Sequence, residues 1–160
     1  MENSFSIRFA RPEDTPVILS LIRELAEYEK LLDKLAATEE TLREWLFDKK
    51  IAETLIAELD GEPVGYALYF YNFSTFLGRA GIYLEDLYVR PDARKKGIGR
   101  ALFAAVARTA KERGCGRLEW ICLDWNKPSI DFYLSLGAKP LNEWTLYRLT
   151  EPEIDKLAVI

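Results

Sequence analysis

The chain predicts an α+β domain, a mixed sheet with helices covering both of its faces. Three observations predict it. Short alternating or wholly apolar runs recur at 5–9, 53–59, 64–73, 78–89, 117–123 and 144–149. Between some of them lie stretches whose apolar residues repeat every 3.6 positions. The runs at 53–89 follow one another with only short turns between, which implies an antiparallel meander, whereas the run at 117–123 is reached through a helix.

Each element has a local cause. Phe5-Ser6-Ile7-Arg8-Phe9 alternates and reads as a strand. Asp14-Thr15-Pro16 supplies a capping side chain and an early proline. Ile18, Leu21, Ile22 and Leu25 then form one apolar helical face through about Tyr28. Thr38 caps a second helix carrying Leu42, Trp45 and Leu46. Asp60-Gly61-Glu62 is a hairpin signal joining the next two strands. Ala101, Leu102, Ala105, Val106 and Ala110 mark a helix over 97–113, stopped by Gly114. The run at 117–123 is continuously apolar, as strands buried on both faces are. Asn126 caps a helix from about Lys127 to Leu136, which Gly137 stops. A last strand at 144–149 and a tail helix at 151–159 complete the chain.

Composition bounds the function. At 160 residues and 18.4 kDa the chain makes one domain, 1–160. No run approaches the roughly 20 apolar residues that cross a bilayer, and Met1-Glu2-Asn3-Ser4 lacks the regions of a signal peptide. A cytoplasmic protein with no membrane partner is expected, its Cys115 and Cys122 reduced. The absence of histidine excludes Ser-His-Asp and Cys-His chemistry and any histidine zinc site, and no metal is expected. Proton transfer must therefore use Glu, Asp, Tyr, Lys, Cys or water. A net charge of −4 disfavours nucleic acid and suits a small cation.

The segment Arg94-Lys95-Lys96-Gly97-Ile98-Gly99-Arg100 carries the chemistry. It joins the strand Ile82–Val89 to the start of the 97–113 helix. Amide groups in a helix's first turn lack intrahelical partners, and the positive end of the dipole lies behind them. Glycines at 97 and 99 let a phosphate approach the backbone. A kinase-type phosphate loop requires Gly-Lys-Ser/Thr, but Arg100 and Ala101 follow Gly99. A dinucleotide fingerprint requires a small third residue where this chain has Leu102. An ordinary solvated basic turn is the competing reading.

Arg-x-x-Gly-x-Gly after a strand resembles the acetyl-coenzyme A pyrophosphate loop of the GNAT N-acetyltransferases. The resemblance continues through Tyr83-Leu84-Glu85-Asp86-Leu87-Tyr88-Val89, Asp124-Trp125-Asn126-Lys127-Pro128-Ser129 and Phe132-Tyr133…Leu136-Gly137-Ala138, in order and at family spacing. With Ile7-Arg8 and Glu24-Leu25-Ala26-x-Tyr28-Glu29 it covers nearly the whole chain. It is similar above all to the diamine (spermidine/spermine) and thialysine N-acetyltransferases. Lys95 and Arg100 depart from the small residue and serine common at their positions.

The resemblance implies the GNAT fold: a mixed, mostly antiparallel sheet whose one parallel strand pair splays apart to hold acetyl-CoA. It implies backbone contacts to the pantetheine arm from Leu87, Tyr88 and Val89, and diphosphate binding by Arg94, Lys95, Lys96, Gly97, Ile98, Gly99 and Arg100. Asn126 and Ser129 would also touch the cofactor. Tyr133 matches the family's general acid, and a phenol with an ordinary pKa of about 10 is protonated at neutral pH. A core aromatic beside Phe132 is the bland alternative.

Glu85 and Asp86 are out of place in an apolar strand unless it bulges or lines a cleft. Glu85 matches the position that draws the amine's proton, through water, and Tyr28, Glu29, Asp86 and Glu143 correspond to substrate contacts. A carboxylate buried against an Arg or Lys is the alternative for this pair. The aromatic group Tyr66, Tyr69, Phe70, Tyr71, Phe73 and Phe76, and the thiol Cys122, read as core or surface packing. The expectation is an acetyl-CoA-dependent transfer to a primary amine of a small cation (a polyamine, a thialysine-like amino acid), in a homodimer. A CoA-binding regulatory domain, a protein lysine or N-terminal acetyltransferase and a structural partner module are the alternatives.

Overall fold

The computed structural model describes residues 4–160, and the chain divides into two units, Met1–Ile121 and Cys122–Ile160. The first contains five strands: β1 (Phe5–Phe9), β2 (Glu53–Leu59), β3 (Glu62–Ser74), β4 (Arg79–Val89) and β5 (Leu118–Glu119). They lie in the order β1-β2-β3-β4-β5, antiparallel except for the parallel pair β4–β5. The β2–β3 turn works because Asp60 and Gly61 both adopt positive φ, 52° and 85°, the twist that a two-residue hairpin requires.

The helix α1 (Thr15–Tyr28) starts where expected, but Asp14 does not cap it. Its carboxylate accepts instead from the Arg11 amide at 2.7 Å and from both terminal nitrogens of Arg8, at 2.7 and 2.9 Å. The Arg8 hydrogen bonds hold the Asp14 carboxyl below its ordinary range. Arg8 also donates to Glu58 at 2.8 Å, so one guanidinium fastens β1 to the turn before α1 and to β2. A charged cluster outcompetes a local cap because each of its bonds is charge-assisted. Thr38 does cap α2 (Glu39–Arg43), its hydroxyl accepting from the Thr41 amide at 3.2 Å. The helix then widens, with the Lys49 amide donating to the Glu44 carbonyl five residues back.

One face of the sheet presents Ile56, Tyr66, Leu68 and Tyr88, which pack with Ile18 and Leu21 of α1 and with Leu46. The alternate residues Leu55, Ala57, Ala67 and Tyr69 point the other way. Against that face lies α3 (Ile98–Glu112), burying Ile98, Leu102 and Val106. Each such fully buried side chain contributes about 2 kcal/mol, and the sheet accordingly carries helices on both faces.

Two strand expectations are corrected. The run at 117–123 forms a strand only at Leu118–Glu119, because β4 offers it just Ile82 and Tyr83 as partners. Trp120 beyond it packs edge-on to Phe103 of α3, ring centroids 4.8 Å apart. In the second unit, 144–149 forms no strand. Trp144 and Tyr147 there are 73 % and 89 % exposed, and an extended segment without a partner strand leaves its backbone groups to water. This unit contains α4 (Lys127–Ser135) and α5 (Glu151–Leu157). Asn126 caps α4, its Oδ1 accepting from the Ser129 amide at 3.4 Å, and Gly137 follows at φ 88°.

Candidate active site

The open side of β4 is the first element of the site. β5 pairs with β4 at Ile82 and Tyr83 only, so among the described strands none covers β4 on that side from Leu84 to Val89. On its other side the Arg90 amide donates to the Val64 carbonyl at 2.8 Å. Backbone direction alternates in an antiparallel pair, so Leu87 and Val89 turn their amide groups toward the open edge and Tyr88 turns its own toward β3. Of the three predicted backbone contacts, two therefore face the edge.

The neighbouring carboxylates follow from a bulge. Leu68 pairs with Asp86 but Tyr69 pairs with Leu84, so Glu85 is an extra residue without an opposite number. The bulge lets one apolar strand carry two acids: Glu85 is exposed and Asp86 is largely withdrawn from water. Asp86 accepts a hydrogen bond from the Tyr66 hydroxyl at 2.8 Å, and Tyr66 is fully buried. Burial raises the Asp86 carboxyl to about 6; the Tyr66 bond opposes the rise, while the charges of Glu85 and Glu29 add to it. Glu29, just past the end of α1, is also raised, by burial first and then by Glu85. Three carboxylates thus share one region. Asp86 is held there by the Tyr66 hydroxyl.

The loop after β4 ends in an anion-binding geometry. Gly97 sits at φ 81° immediately before α3, and Lys95 also has positive φ, at 63°. The first bond within α3 runs from the Ala101 amide to the Gly97 carbonyl at 3.0 Å, so the amides of Ile98 and Gly99 precede the helical ladder. Lys95, Lys96 and Arg100 are exposed beside them. The left-handed backbone at Lys95 accounts for the small residue preferred there, since a side chain costs about 1 kcal/mol in that region. Gly97→Ala is expected to lower stability by about 1 kcal/mol, a Tm decrease of a few degrees in a thermal melt. Gly99→Ala is expected to leave Tm unchanged or raise it, because the added methyl would meet only Val89 Cγ2 at 3.9 Å.

Arg94 opens this loop and is exposed. Its Nε donates to the Val89 carbonyl at 2.7 Å, and its guanidinium lies 5.5 Å from the Tyr28 ring centroid and 5.6 Å from that of Tyr88. Nearby, Arg90 binds Glu24 through two nitrogens at 2.9–3.2 Å and the Pro63 carbonyl at 2.9 Å, joining α1 to the end of β4. In the second unit Asn126 is 6 % exposed, Ser129 opens α4, and Tyr133 lies on that helix with its ring 5.6 Å from Phe132. Glu143 is exposed in the segment between α4 and α5.

Residues 19–138 match the model of the acetyltransferase (GNAT) family. The chain belongs to the GNAT acetyltransferase family. GNAT enzymes use acetyl-CoA as cosubstrate, and this chain is an N-acetyltransferase of that kind. It is 44 % identical to the thialysine N-epsilon-acetyltransferase of Bos taurus over 95 % of this chain and 96 % of that protein. With an L-ornithine N5-acetyltransferase of Arabidopsis thaliana it shares 32 % identity over 96 % of this chain and 89 % of that one. Among solved structures, an integron cassette protein from the mobile metagenome of V. cholerae superposes with a TM-score of 0.81 at 29 % identity. That match covers 97 % of this GNAT chain and 98 % of the other.

Sequence reasoning assigned Tyr66 to core packing, where it lies, but did not foresee its bond to Asp86. The missing signal was register: Tyr66 pairs with Tyr88, which puts its side chain diagonal to Asp86 on the same sheet face. The contacts of the Arg94 side chain were likewise not legible in the motif that contains it. Where a long side chain points is decided by the groups around it, here the Val89 carbonyl and two tyrosine rings.

Proposed function

We propose that this GNAT enzyme transfers the acetyl group of acetyl-CoA to a primary amine of a small cationic acceptor, by direct attack in a ternary complex. The observation that carries this reading is the gathering of three carboxylates, Glu29, Glu85 and Asp86, beside a strand edge that no described strand covers. Such a region favours a cation over a neutral or anionic acceptor. Relatives named for acetylating thialysine at Nε and ornithine at N5 support an amino-acid-sized amine.

In this reading residues 1–160 act as one functional domain. The amides of Leu87 and Val89 hold the pantetheine arm and polarise the thioester carbonyl, with Tyr88 backing them. Lys95, Lys96, Gly97, Ile98, Gly99 and Arg100 bind the diphosphate through main-chain N–H groups and added charge. Asn126 and Ser129 contact the cofactor as well. Tyr28, Glu29, Asp86 and Glu143 receive the acceptor, and Glu85 draws a proton from its ammonium through a water. The freed nitrogen lone pair attacks the thioester carbon, the C–N bond forms and the C–S bond breaks. Tyr133 gives its proton to the departing thiolate and is reprotonated by the second proton that the acylated nitrogen loses, so that the proton drawn off through Glu85 is the one released to solvent. The chemistry is complete without a metal.

Release of CoA thiol in the presence of thialysine, ornithine, spermidine and a lysine peptide tests the proposal. Turnover with at least one small amine is expected, exceeding that with the peptide. Silence with every amine, while calorimetry still detects CoA binding, would reject it in favour of a CoA-binding regulatory domain. We also read the protein as a cytoplasmic homodimer without nucleic-acid or membrane partners. The exposed Trp144, Leu146, Tyr147 and Leu149 support a covering partner. Light scattering checks the dimer.

A further inference from the structure

We propose that Arg94 is a positioning residue which ties the acetyl-CoA side of the site to the acceptor side, rather than a ligand of the diphosphate. The inference rests on the acetyl-transfer reading above and assigns a role to a residue which that reading leaves out.

Three interactions carry it. Nε of Arg94 donates to the Val89 carbonyl at 2.7 Å. By the alternation of β4, that carbonyl belongs to the residue facing the open edge, so the bond fixes the end of the strand whose amides meet the pantetheine arm. The guanidinium carbon lies 5.5 Å from the Tyr28 ring and 5.6 Å from the Tyr88 ring, both within cation–π range. Tyr28 is the last residue of α1, and Glu29 of the acidic region follows it directly. Tyr88 belongs to the packed cluster between α1 and the sheet. One side chain therefore spans from the strand that meets the cosubstrate to the helix end that meets the amine.

The chemistry favours arginine here. A planar guanidinium can donate in its own plane to a carbonyl while offering its faces to aromatic rings, whereas a lysine ammonium is a point donor that cannot do both from one position. The placement of the guanidinium, with Nε on the Val89 carbonyl and both rings within reach, joins the strand end to α1. Lys95 and Lys96, exposed at the loop like Arg94 itself, can supply charge to the diphosphate. Arg94 thus couples the order of the loop and strand end to the acceptor pocket.

Steady-state kinetics of Arg94→Met and Arg94→Lys test the proposal, each with both substrates varied. Met keeps the aliphatic stem without the cation and the fork; Lys keeps the charge alone. Both variants are expected to raise KM for the amine about fivefold, since each weakens the ring interactions that hold the end of α1; KM for acetyl-CoA is expected to change less, because the main-chain amides of the strand and loop remain in place. In Tyr28→Leu the added Arg94→Met change is expected to raise the amine KM by less than it does in the parent, because one of the three interactions of Arg94 is already gone. Hydrogen exchange supplies a readout independent of turnover. Amides at 29–31, which bond back to Leu25, Ala26 and Glu27, are expected to exchange about fivefold faster in Arg94→Met, with those at 101–106 unchanged. A rise in the acetyl-CoA KM that Lys rescues would overturn the proposal in favour of a phosphate ligand. Unchanged amine KM, or unchanged exchange at 29–31, would overturn it too. If the parent enzyme is inactive with every amine, the acetyl-transfer reading fails, and the exchange result still judges the Arg94 link.

Discussion

Tyr133→Phe is expected to slow acetyl transfer about a hundredfold while leaving CoA affinity unchanged. The thiolate departing from a thioester gains from a proton as the C–S bond breaks, and without histidine the chain has few groups that can supply one. Phenylalanine keeps the ring and with it the packing on Phe132, 5.6 Å between centroids, so only the hydroxyl is removed from α4. A hundredfold change corresponds to about 2.7 kcal/mol of barrier. Single-turnover CoA release read alongside calorimetric CoA binding separates the two quantities. Turnover at the parent rate would remove Tyr133 from the mechanism.

Asp86→Asn is expected to raise the amine KM by roughly tenfold or more, and at the same time to stabilise the protein at neutral pH. The two effects share one cause. Burial lifts the Asp86 carboxyl from its ordinary 3.8 to about 6, so between those values the folded chain holds a proton that the unfolded chain has released. Stability from this residue is complete below about pH 4, declines as pH rises toward 6, and remains reduced above it. Asparagine removes the buried charge and still offers an oxygen to the Tyr66 hydroxyl. Melting curves should put the variant above the parent by a few degrees at about pH 8, about 2 kcal/mol, and close to it at about pH 4. In the parent, amine KM should rise as pH falls below about 6, when Asp86 takes up its proton and ceases to attract a cation. A variant with parental amine KM would exclude Asp86 from the acceptor site. Equal Tm differences at the acidic and the alkaline pH would mean that the carboxyl is not raised.

The way these acids sit explains how far a sequence can be read. Two adjacent carboxylates in an apolar strand announce a bulge or a cleft, and the register shift opposite Leu68 and Tyr69 is that bulge. Which acid is buried was not legible, because a one-residue slip exchanges the two faces. Tyr66 escaped notice for the same reason: its partner is 20 residues away and is found only through pairing. The capping of α1 was misread because Asp14 had a stronger donor within reach in Arg8, on another element. The segment at 144–149 has the residues of a strand, but strand formation is a property of pairs, and within its unit no described strand pairs with it.

Residue order alone was enough for the helices, the meander, the glycine turn before α3 and the family. All of these rest on neighbouring residues: caps, periodicity, positive-φ turns and the order of short motifs. Folding in three dimensions was needed to bury Asp86 on Tyr66, to make Glu85 the bulged residue, and to fold Arg94 back on Val89 between two tyrosines. Those outcomes depend on register and on competition among distant donors and acceptors, and such energies exist only once the strands have paired and the helices have packed.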